Sequence, residues 1–216
     1  MNILIAIPSY NDSEHLPGLI KRIKQVIDIP IIVIDDGSEI PVNINDKSIK
    51  VIRNELNLGK GGALKNAFKY ASKNAFSHVI TMDSDLQHDP SKLIEFIDFN
   101  KDCTIVCGWR TIDTSMPVHR QLSNKLTSWI ISKLCGQMIY DSQCGYRRYS
   151  VKDVLATQCI ENGFQFESEV LIKIAKNEYS NIGHVKIPTI YGDEKSSIKN
   201  IQDTFKFITL ILKNIW

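Results

Sequence analysis

The clearest chemical signal in this chain comes from the segment 83–87, with the sequence DSDLQ. The two carboxylates of Asp83 and Asp85 and the amide oxygen of Gln87 suit a hard divalent cation that bridges a diphosphate. Such an ion neutralises the charge that develops as a diphosphate departs, which is Lewis-acid catalysis. Because Asp-x-Asp is also common in loops and helix caps, this motif alone leaves a structural role open.

Two further polar clusters could contact a nucleotide. Asp35 and Asp36 follow an apolar run, where a carboxylate can accept hydrogen bonds from ribose hydroxyl groups or a base N–H. The segment 59–62 (GKGG) opens a helical pattern, and its backbone N–H groups and Lys60 could meet a phosphate. It does not match a Walker A loop, since no Ser or Thr follows the lysine. A plain turn and an ordinary glycine-rich loop stay open as alternatives.

The first half of the chain alternates strand and helix patterns. Strands are predicted at 2–7, 30–35, 49–53, 78–82 and 103–108, with helices from Leu16, Gly59 and Pro90 between them. This alternation predicts an α/β fold with a mostly parallel sheet that is covered on both faces. Ligands bind beyond the carboxyl ends of the strands in such sheets. We therefore expect the polar clusters at 8–12, 35–38 and 83–87 to gather along one edge.

The second half is less regular. The pattern predicts helices at about 119–135, 151–158 and 167–177, a strand near 182–188, and an apolar, Lys-flanked segment at 201–216. No linker or repeat interrupts the chain, so 1–216 is predicted to be a single domain. Residues 1 to about 110 would form its nucleotide-binding half, and residues from about 111 to 216 its acceptor half, which ends in an amphipathic helix.

Composition excludes several classes of protein. The formal net charge is only +2 and the basic residues are dispersed, which argues against nucleic-acid binding. Five cysteines, an odd number without a Cys-x-x-Cys pair, argue against a disulfide framework and favour a reducing compartment. The first residues lack a basic n-region, and no window approaches the roughly 18 apolar residues of a membrane span. We expect a cytoplasmic protein with at most peripheral membrane contact.

Four motifs occur in order along the first half, namely 8–12 (PSYND), 35–38 (DDGS), 57–61 (NLGKG) and 83–87 (DSDLQ). Together they resemble the family-2 glycosyltransferases with the GT-A fold. They are most like the dolichyl- or polyprenyl-phosphate sugar synthases, the dolichol-phosphate mannose synthase-like branch. Three later segments resemble the same branch, namely 141–147 (DSQCGYR), 163–167 (GFQFE) and 190–197 (IYGDEKSS). The resemblance covers nearly the whole chain, and the ordered set is specific although each motif alone is weak.

The resemblance implies a Rossmann-like sheet flanked by helices and a nucleotide-sugar donor. It assigns donor binding to residues at the expected edge of the sheet, namely Pro8, Tyr10, Asp12, Asp36, Lys60, Asp83 and Ser84. It assigns Mg²⁺ or Mn²⁺ to Asp83, Asp85 and Gln87, and it gives Asp85 a direct catalytic role. Asp12 departs from the family pattern, which often has Glu at this position; the charge is kept on a shorter side chain.

The acceptor residues depend on the acceptor. Arg110, Arg120, Ser123 and Arg147 would clamp a lipid phosphate, because guanidinium forks match phosphate oxygens. A phosphate oxygen is already anionic, whereas a hydroxyl acceptor needs a general base. Asp141 and Glu167 are the candidates for that base. Arg120 is also predicted to be a catalytic residue. The segment 201–216 could lie in a membrane interface or dock on the domain.

We predict a one-step, inverting transfer of a hexose from a UDP- or GDP-sugar to a polyprenyl phosphate. The alternative acceptor is a hydroxyl group of a glycan in cell-surface polysaccharide synthesis. A nucleotidyltransferase is disfavoured, because that class usually has a glycine-rich, basic loop after the first strand, where this chain has 8–12 (PSYND). A non-catalytic nucleotide-sugar-binding module is disfavoured by the intact acidic motif at 83–87. The sequence leaves the oligomeric state open.

Overall fold

A computed structural model describes residues 1–111, 118–190 and 200–215, without the side chains of residues 118, 119, 200, 201 and 215. Its strands are β1 Ile3–Ser9, β2 Ile31–Asp35, β3 Lys50–Arg53, β4 His78–Thr81, β5 Ile105–Arg110, β6 Arg147–Ser150 and β7 Ile182–Ile187. They form one sheet in the order β3-β2-β1-β4-β6-β5-β7. All neighbouring pairs are parallel except those that β6 makes with β4 and β5. The predicted mostly parallel sheet is confirmed.

Helices cover both faces of this sheet. They are α1 Leu16–Val26, α2 Lys60–Lys73, α3 Leu93–Asp98, α4 Val118–Cys135, α5 Val151–Ala156, α6 Gln165–Ala175 and α7 Asn200–Ile215, with a short 3₁₀ turn at Pro90–Lys92 before α3. Alternate residues of β1 enter two separate cores, one under α1 and α3 and the other under α2, α4, α5, α6 and α7. Strands buried on both faces explain the continuous apolar runs in the sequence.

Strand β6 was not predicted, and it changes the assignment of Arg147. The strand begins with two arginines, so it lacks the apolar pattern of its neighbours, yet both side chains are fully buried. Arg147 donates to the backbone carbonyls of Cys144, Glu167 and Ser142 at 2.7–2.9 Å. Because all its nitrogens serve the interior, Arg147 is not placed to bind an acceptor phosphate, and that prediction is corrected to a structural role.

Helix α7 docks on α6 through one face. Leu210 is buried in the core beneath it, and Phe207 and Ile211 pack alongside. Phe205, Ile208 and Leu212 are exposed on the helix. The docked alternative is therefore confirmed for one face of the helix, and contact of the exposed face with a membrane interface stays a prediction. Within the described residues, no helix is both long enough and apolar enough to cross a bilayer.

Candidate active site

The loops after β1, β2 and β4 meet at one edge of the sheet, because these parallel strands end there together. The backbone N–H of Asn11 donates to Ser38 Oγ at 3.0 Å, and that of Glu39 donates to Asn11 Oδ1 at 2.8 Å. Ser84 Oγ donates to Asp12 Oδ2 at 2.6 Å. The structure thus brings together the three polar clusters whose convergence the sequence predicted.

A group of three charged side chains, of which Glu167 is buried and Lys60 and Asp83 are partly exposed, lies at the centre of this edge. Lys60 Nζ, at the start of α2, is 2.7 Å from Asp83 Oδ1 and 3.3 Å from Glu167 Oε2 of α6. Burial opposes the charge on Lys60, but the two carboxylates outweigh it and raise its pKa above the ordinary value. Burial also opposes ionisation of Asp83, and the lysine outweighs that effect and lowers the pKa of Asp83 to about 2. Both partners are therefore charged at neutral pH.

Gly145 lets the backbone approach this ion pair. A Cβ atom at this position would lie 2.6 Å from Lys60 Nζ and 2.7 Å from Asp83 Oδ2. The glycine carbonyl accepts a hydrogen bond of 2.6 Å from Thr81 Oγ1 at the end of β4, which fixes its position. The absence of a side chain at Gly145 is therefore a condition for the geometry of the acidic centre.

His88 is a member of the site that the sequence did not reveal, because a histidine beside a polar motif has no diagnostic spacing. Its Nδ1 accepts from the backbone N–H of Asp83 at 3.1 Å, and its ring stacks on Tyr146 with centroids 5.1 Å apart. Burial is the main cause that lowers the pKa of His88 to about 4. The neutral imidazole thus holds the loop that carries Asp83.

Asp85 and Gln87 lie on the same loop and are partly exposed. The backbone N–H of Gln87 donates to Asp85 Oδ1 at 3.1 Å, and Leu86 between them has a φ of 60°, which turns the loop back on itself. Two carboxylates and an amide on one tight turn are a donor set that fits a hard divalent cation. Asp83 retains its negative charge to low pH, as a metal ligand must.

Asp36 fixes the loop that precedes Lys60. Its carboxylate accepts from the backbone N–H groups of Leu58 at 3.0 Å and Gly59 at 2.8 Å, and from Asn54 Nδ2 at 2.7 Å. Asp36 is buried. Its predicted contact with a nucleotide stays a prediction, and the structure adds a role in positioning the start of α2.

The glycines at 59–62 allow the start of α2 to pack closely against the segment around Asn162 and Phe166. Gly59 has a φ of 84°, and a Cβ on Gly61 would lie 2.5 Å from Phe166 Cβ. The N–H of Gly62 donates to the carbonyl of Asn162 at 3.0 Å, while that of Gly59 donates to a carboxylate. The expectation that these two N–H groups meet a phosphate is therefore wrong, because both already have protein acceptors.

A second ion pair joins Arg110, at the end of β5, to Asp141. Arg110 Nε donates to Asp141 Oδ2 at 2.8 Å and Nη2 donates to Oδ1 at 3.1 Å, and the N–H of Gln143 adds a third bond. Burial opposes ionisation of Asp141, but Arg110 outweighs it and lowers the pKa of Asp141. Asp141 therefore orients Arg110, and its predicted role as a general base stays a prediction.

The remaining predicted residues lie around this centre. Tyr10 is exposed and Pro8 is half-buried at the end of β1, beside the converging loops. Arg120 and Ser123 are on the first two turns of α4, three residues apart and thus on one side of the helix. Their roles stay predictions. The segment 190–197, which contributed to the resemblance, lies outside the described residues except for its first residue.

Comparisons with known proteins find matches over most of this chain. The family model described as Glycosyl transferase family 2 matches residues 4–155. The undecaprenyl-phosphate mannosyltransferase of Micrococcus luteus is 26% identical over 191 residues, which span 82% of this chain and 79% of that protein. The UDP-N-acetylglucosamine–dolichyl-phosphate N-acetylglucosaminyltransferase of Methanococcus voltae is 30% identical over 88% of this chain and 86% of that protein.

Solved structures are similar over nearly the whole chain. Glucosyl-3-phosphoglycerate synthase from Mycobacterium tuberculosis, crystallised with Mn²⁺, UDP-glucose and phosphoglyceric acid, superposes with a TM-score of 0.76. The match covers 99% of this chain and 79% of that one, at 16% sequence identity. At this identity the similarity establishes the fold alone, and it confirms the predicted GT-A architecture.

Proposed function

The chain belongs to glycosyltransferase family 2, and on that premise we propose that it transfers a hexose from a UDP- or GDP-sugar to a polyprenyl phosphate with inversion. The observation that supports this most is the convergence of three strand-end loops around Lys60 and Asp83 at one edge of the sheet. Two relatives of similar length are named for transfer involving undecaprenyl phosphate and dolichyl phosphate, which supports a polyprenyl-phosphate acceptor.

At the donor end, Asp83, Asp85 and Gln87 would hold Mg²⁺ or Mn²⁺. When bound, such an ion stabilises the negative charge of a departing diphosphate. Lys60 contributes a fixed positive charge at the same place, and its burial strengthens the interaction with a developing anion. A structural neighbour crystallised with Mn²⁺ and UDP-glucose supports this assignment.

The nucleotide would lie across the loops after β1 and β2. Tyr10 and Pro8 offer an exposed ring and a half-buried one at the end of β1. Asp12 and Ser84 are joined by a hydrogen bond of 2.6 Å, so the loop that carries the acidic motif is tied to the loop that carries Tyr10. Asp36 holds the segment between them and Lys60. These hydrogen bonds connect the loops of the donor site, so a shift of one loop on donor binding would move the others with it.

At the acceptor end, Arg110 is the residue best placed to bind a phosphate. Asp141 accepts two hydrogen bonds from the guanidinium group of Arg110. These bonds fix the orientation of the guanidinium group. Arg120 and Ser123 on α4 would complete the site. No general base is required, because the attacking phosphate oxygen is anionic.

A hydroxyl acceptor is the second candidate, and Glu167 is the observation that favours it. Glu167 Oε1 is buried and has no hydrogen-bond partner, while Oε2 faces Lys60 at 3.3 Å. A carboxylate oxygen of this kind can take the proton of an attacking hydroxyl group. Glu167→Gln separates the two candidates. It should reduce transfer to a lipid phosphate by less than about tenfold, and transfer to a hydroxyl by about 10²-fold or more.

The decisive assay offers the purified chain UDP- and GDP-hexoses with Mn²⁺ or Mg²⁺ and two acceptors, a short-chain polyprenyl phosphate and a glycan. We expect a hexosyl phosphate lipid whose anomeric configuration, read by NMR, is opposite to that of the donor. A product with the donor's configuration, or hydrolysis of the donor without transfer to the lipid phosphate, would contradict the proposal.

We also propose that the protein works at the cytoplasmic face of a membrane, with peripheral contact through α7. Phe205, Ile208 and Leu212 are exposed, and Lys206 and Lys213 belong to the same helix. An amphipathic helix with exposed apolar and basic residues suits the interface of an anionic bilayer. Co-sedimentation of the chain with anionic vesicles, compared with a variant that has serine at the three apolar positions, tests this contact.

A further inference from the structure

Helix α4 carries a line of exposed apolar side chains on its outer face. Leu122, Leu126 and Trp129 are 63%, 59% and 59% exposed. Their spacing of four and three residues places them on one side of a helix. Single exposed apolar residues are ordinary, but three in a row on one helix form a patch that marks an interaction surface. We call these three residues the α4 stripe.

The α4 stripe has no role in holding the helix to the domain. The opposite face does that: Ile131 and Cys135 enter the core, and Asn124 and Ser128 are buried. Ser128 Oγ accepts from the backbone N–H of Ser142 at 2.9 Å, so this face also fixes the loop after the helix. At 100° per residue the two sets lie on opposite sides of α4.

The charged residues of helix α4 itself are all basic. Helix α4 contains no Asp or Glu, and its exposed polar positions include Lys125 and Lys133 beside the apolar residues. An apolar line flanked by lysines matches a surface of acyl chains and anionic headgroups. A second copy of the chain fits less well, because a two-fold contact through this face would bring lysines against lysines without an acidic residue on the helix to offset them.

We infer that the outer face of α4 rests on an anionic membrane surface. The inference deepens the proposed function, since it rests on a lipid acceptor and identifies the face that meets the lipid. Ser142, held by the inner face of α4, is next to Asp141, which orients Arg110. Docking through α4 would therefore place the phosphate-binding end of the site close to the headgroups.

Vesicle flotation of the full chain tests the inference. We expect the wild-type protein to float with vesicles that contain an anionic phospholipid and to float less with vesicles of phosphatidylcholine alone. Replacing the α4 stripe by serine should reduce the partition coefficient by about tenfold or more. A matched control replaces three exposed apolar residues elsewhere, namely Leu155, Ile160 and Tyr179, by serine and should float like the wild type.

Two further arms test the chemistry of the contact. Lys125→Glu with Lys133→Glu should abolish the preference for anionic vesicles, whereas Lys101→Glu with Lys152→Glu, on exposed positions outside α4, should keep it. Lipids brominated on the acyl chain should quench tryptophan fluorescence of the wild type, and Trp129→Phe should reduce that quenching. Quenching that is unchanged in this variant would overturn the inference.

The outcomes separate this inference from the proposed function. The stripe variant should transfer sugar to a water-soluble, short-chain polyprenyl phosphate as well as the wild type does in the absence of vesicles. Normal flotation without transfer to any lipid phosphate would defeat the proposed function and leave the surface in place. Equal flotation of the stripe variant and wild type would overturn the inference. So would a shift from dimer to monomer by light scattering with unchanged flotation, because the stripe would then be a contact between copies.

Discussion

The two ion pairs of the site have the same chemistry and different surroundings. Lys60 and Asp83 face each other where three loops converge, and Asp83 keeps part of its surface exposed. Arg110 and Asp141 are joined by two bonds, and Asp141 has further bonds to backbone N–H groups. The first pair can exchange partners with a ligand, whereas in the second pair Asp141 is a fixed support that orients Arg110.

The difference shows that burial and partner count decide what a charged residue does. Arg147 is held even more firmly than Asp141, because every nitrogen of its guanidinium group donates to a backbone carbonyl. A buried charge saturated in this way stabilises the fold and is withdrawn from chemistry. We therefore expect substitutions around Lys60 and Asp83 to affect turnover, and those at Arg147 to affect stability.

The largest effect should come from Asp85→Ala. Loss of this carboxylate removes a proposed metal ligand, so kcat/KM should fall by about 10³-fold, while the thermal unfolding midpoint stays close to that of the wild type. The measurement is steady-state transfer with Mn²⁺ titrated from a chelator-treated enzyme. Near-normal transfer by Asp85→Ala that also resists chelation would show that the metal assignment is wrong.

Gly145→Ala probes the centre without changing any charge. The added methyl group would lie 2.6 Å from Lys60 Nζ and 2.7 Å from Asp83 Oδ2, so the pair must separate. A displacement on this scale should lower kcat/KM by about 10²-fold. Gly18→Ala is the matched control, because a Cβ there has no atom within 4 Å, and it should behave like the wild type. Equal kinetics for both variants would contradict the proposed position of the chemistry.

Arg147→Met tests the other side of the comparison. The variant removes three hydrogen bonds from the guanidinium to buried carbonyls, so the free energy of unfolding should fall by about 3 kcal/mol or more. Urea denaturation measures the loss. Lys152→Met, at an exposed position, should change stability by less than about 0.5 kcal/mol. A stable Arg147→Met protein with a raised KM for the acceptor would restore the original assignment of this residue.

The sequence predicted those features that depend on strand ends and local motifs. The five strands of the first half, the edge where Asp12, Ser84 and Asp83 meet, and the family were all predictable, because parallel strands place their following loops together. Arg147 was misjudged because its partners are backbone carbonyls, which no sequence motif reveals. Strand β6 was missed because it begins with two arginines and therefore lacks the apolar pattern by which a buried strand is predicted. His88 was missed because only the folded loop shows which N–H it accepts from.

The smallest expected effect is a pH dependence of stability that involves His184 on β7. Burial, reinforced by Arg147, lowers the pKa of His184 to about 4 in the folded chain, while the unfolded chain protonates it near about 6.5. Between these values the unfolded chain binds more protons, so the free energy of unfolding falls as the pH drops through this window. His184→Phe removes that proton and should flatten the slope by up to about 1 kcal/mol per pH unit.

Urea denaturation at several pH values measures this slope for both proteins. Above the window both forms of His184 are neutral, so the two slopes should coincide there, which provides an internal control. Identical slopes inside the window as well would show that His184 titrates normally in the folded chain. The interior around Arg147 would then be more open to water than its saturated hydrogen bonds imply, and the contrast between a reactive centre and a fixed support would weaken.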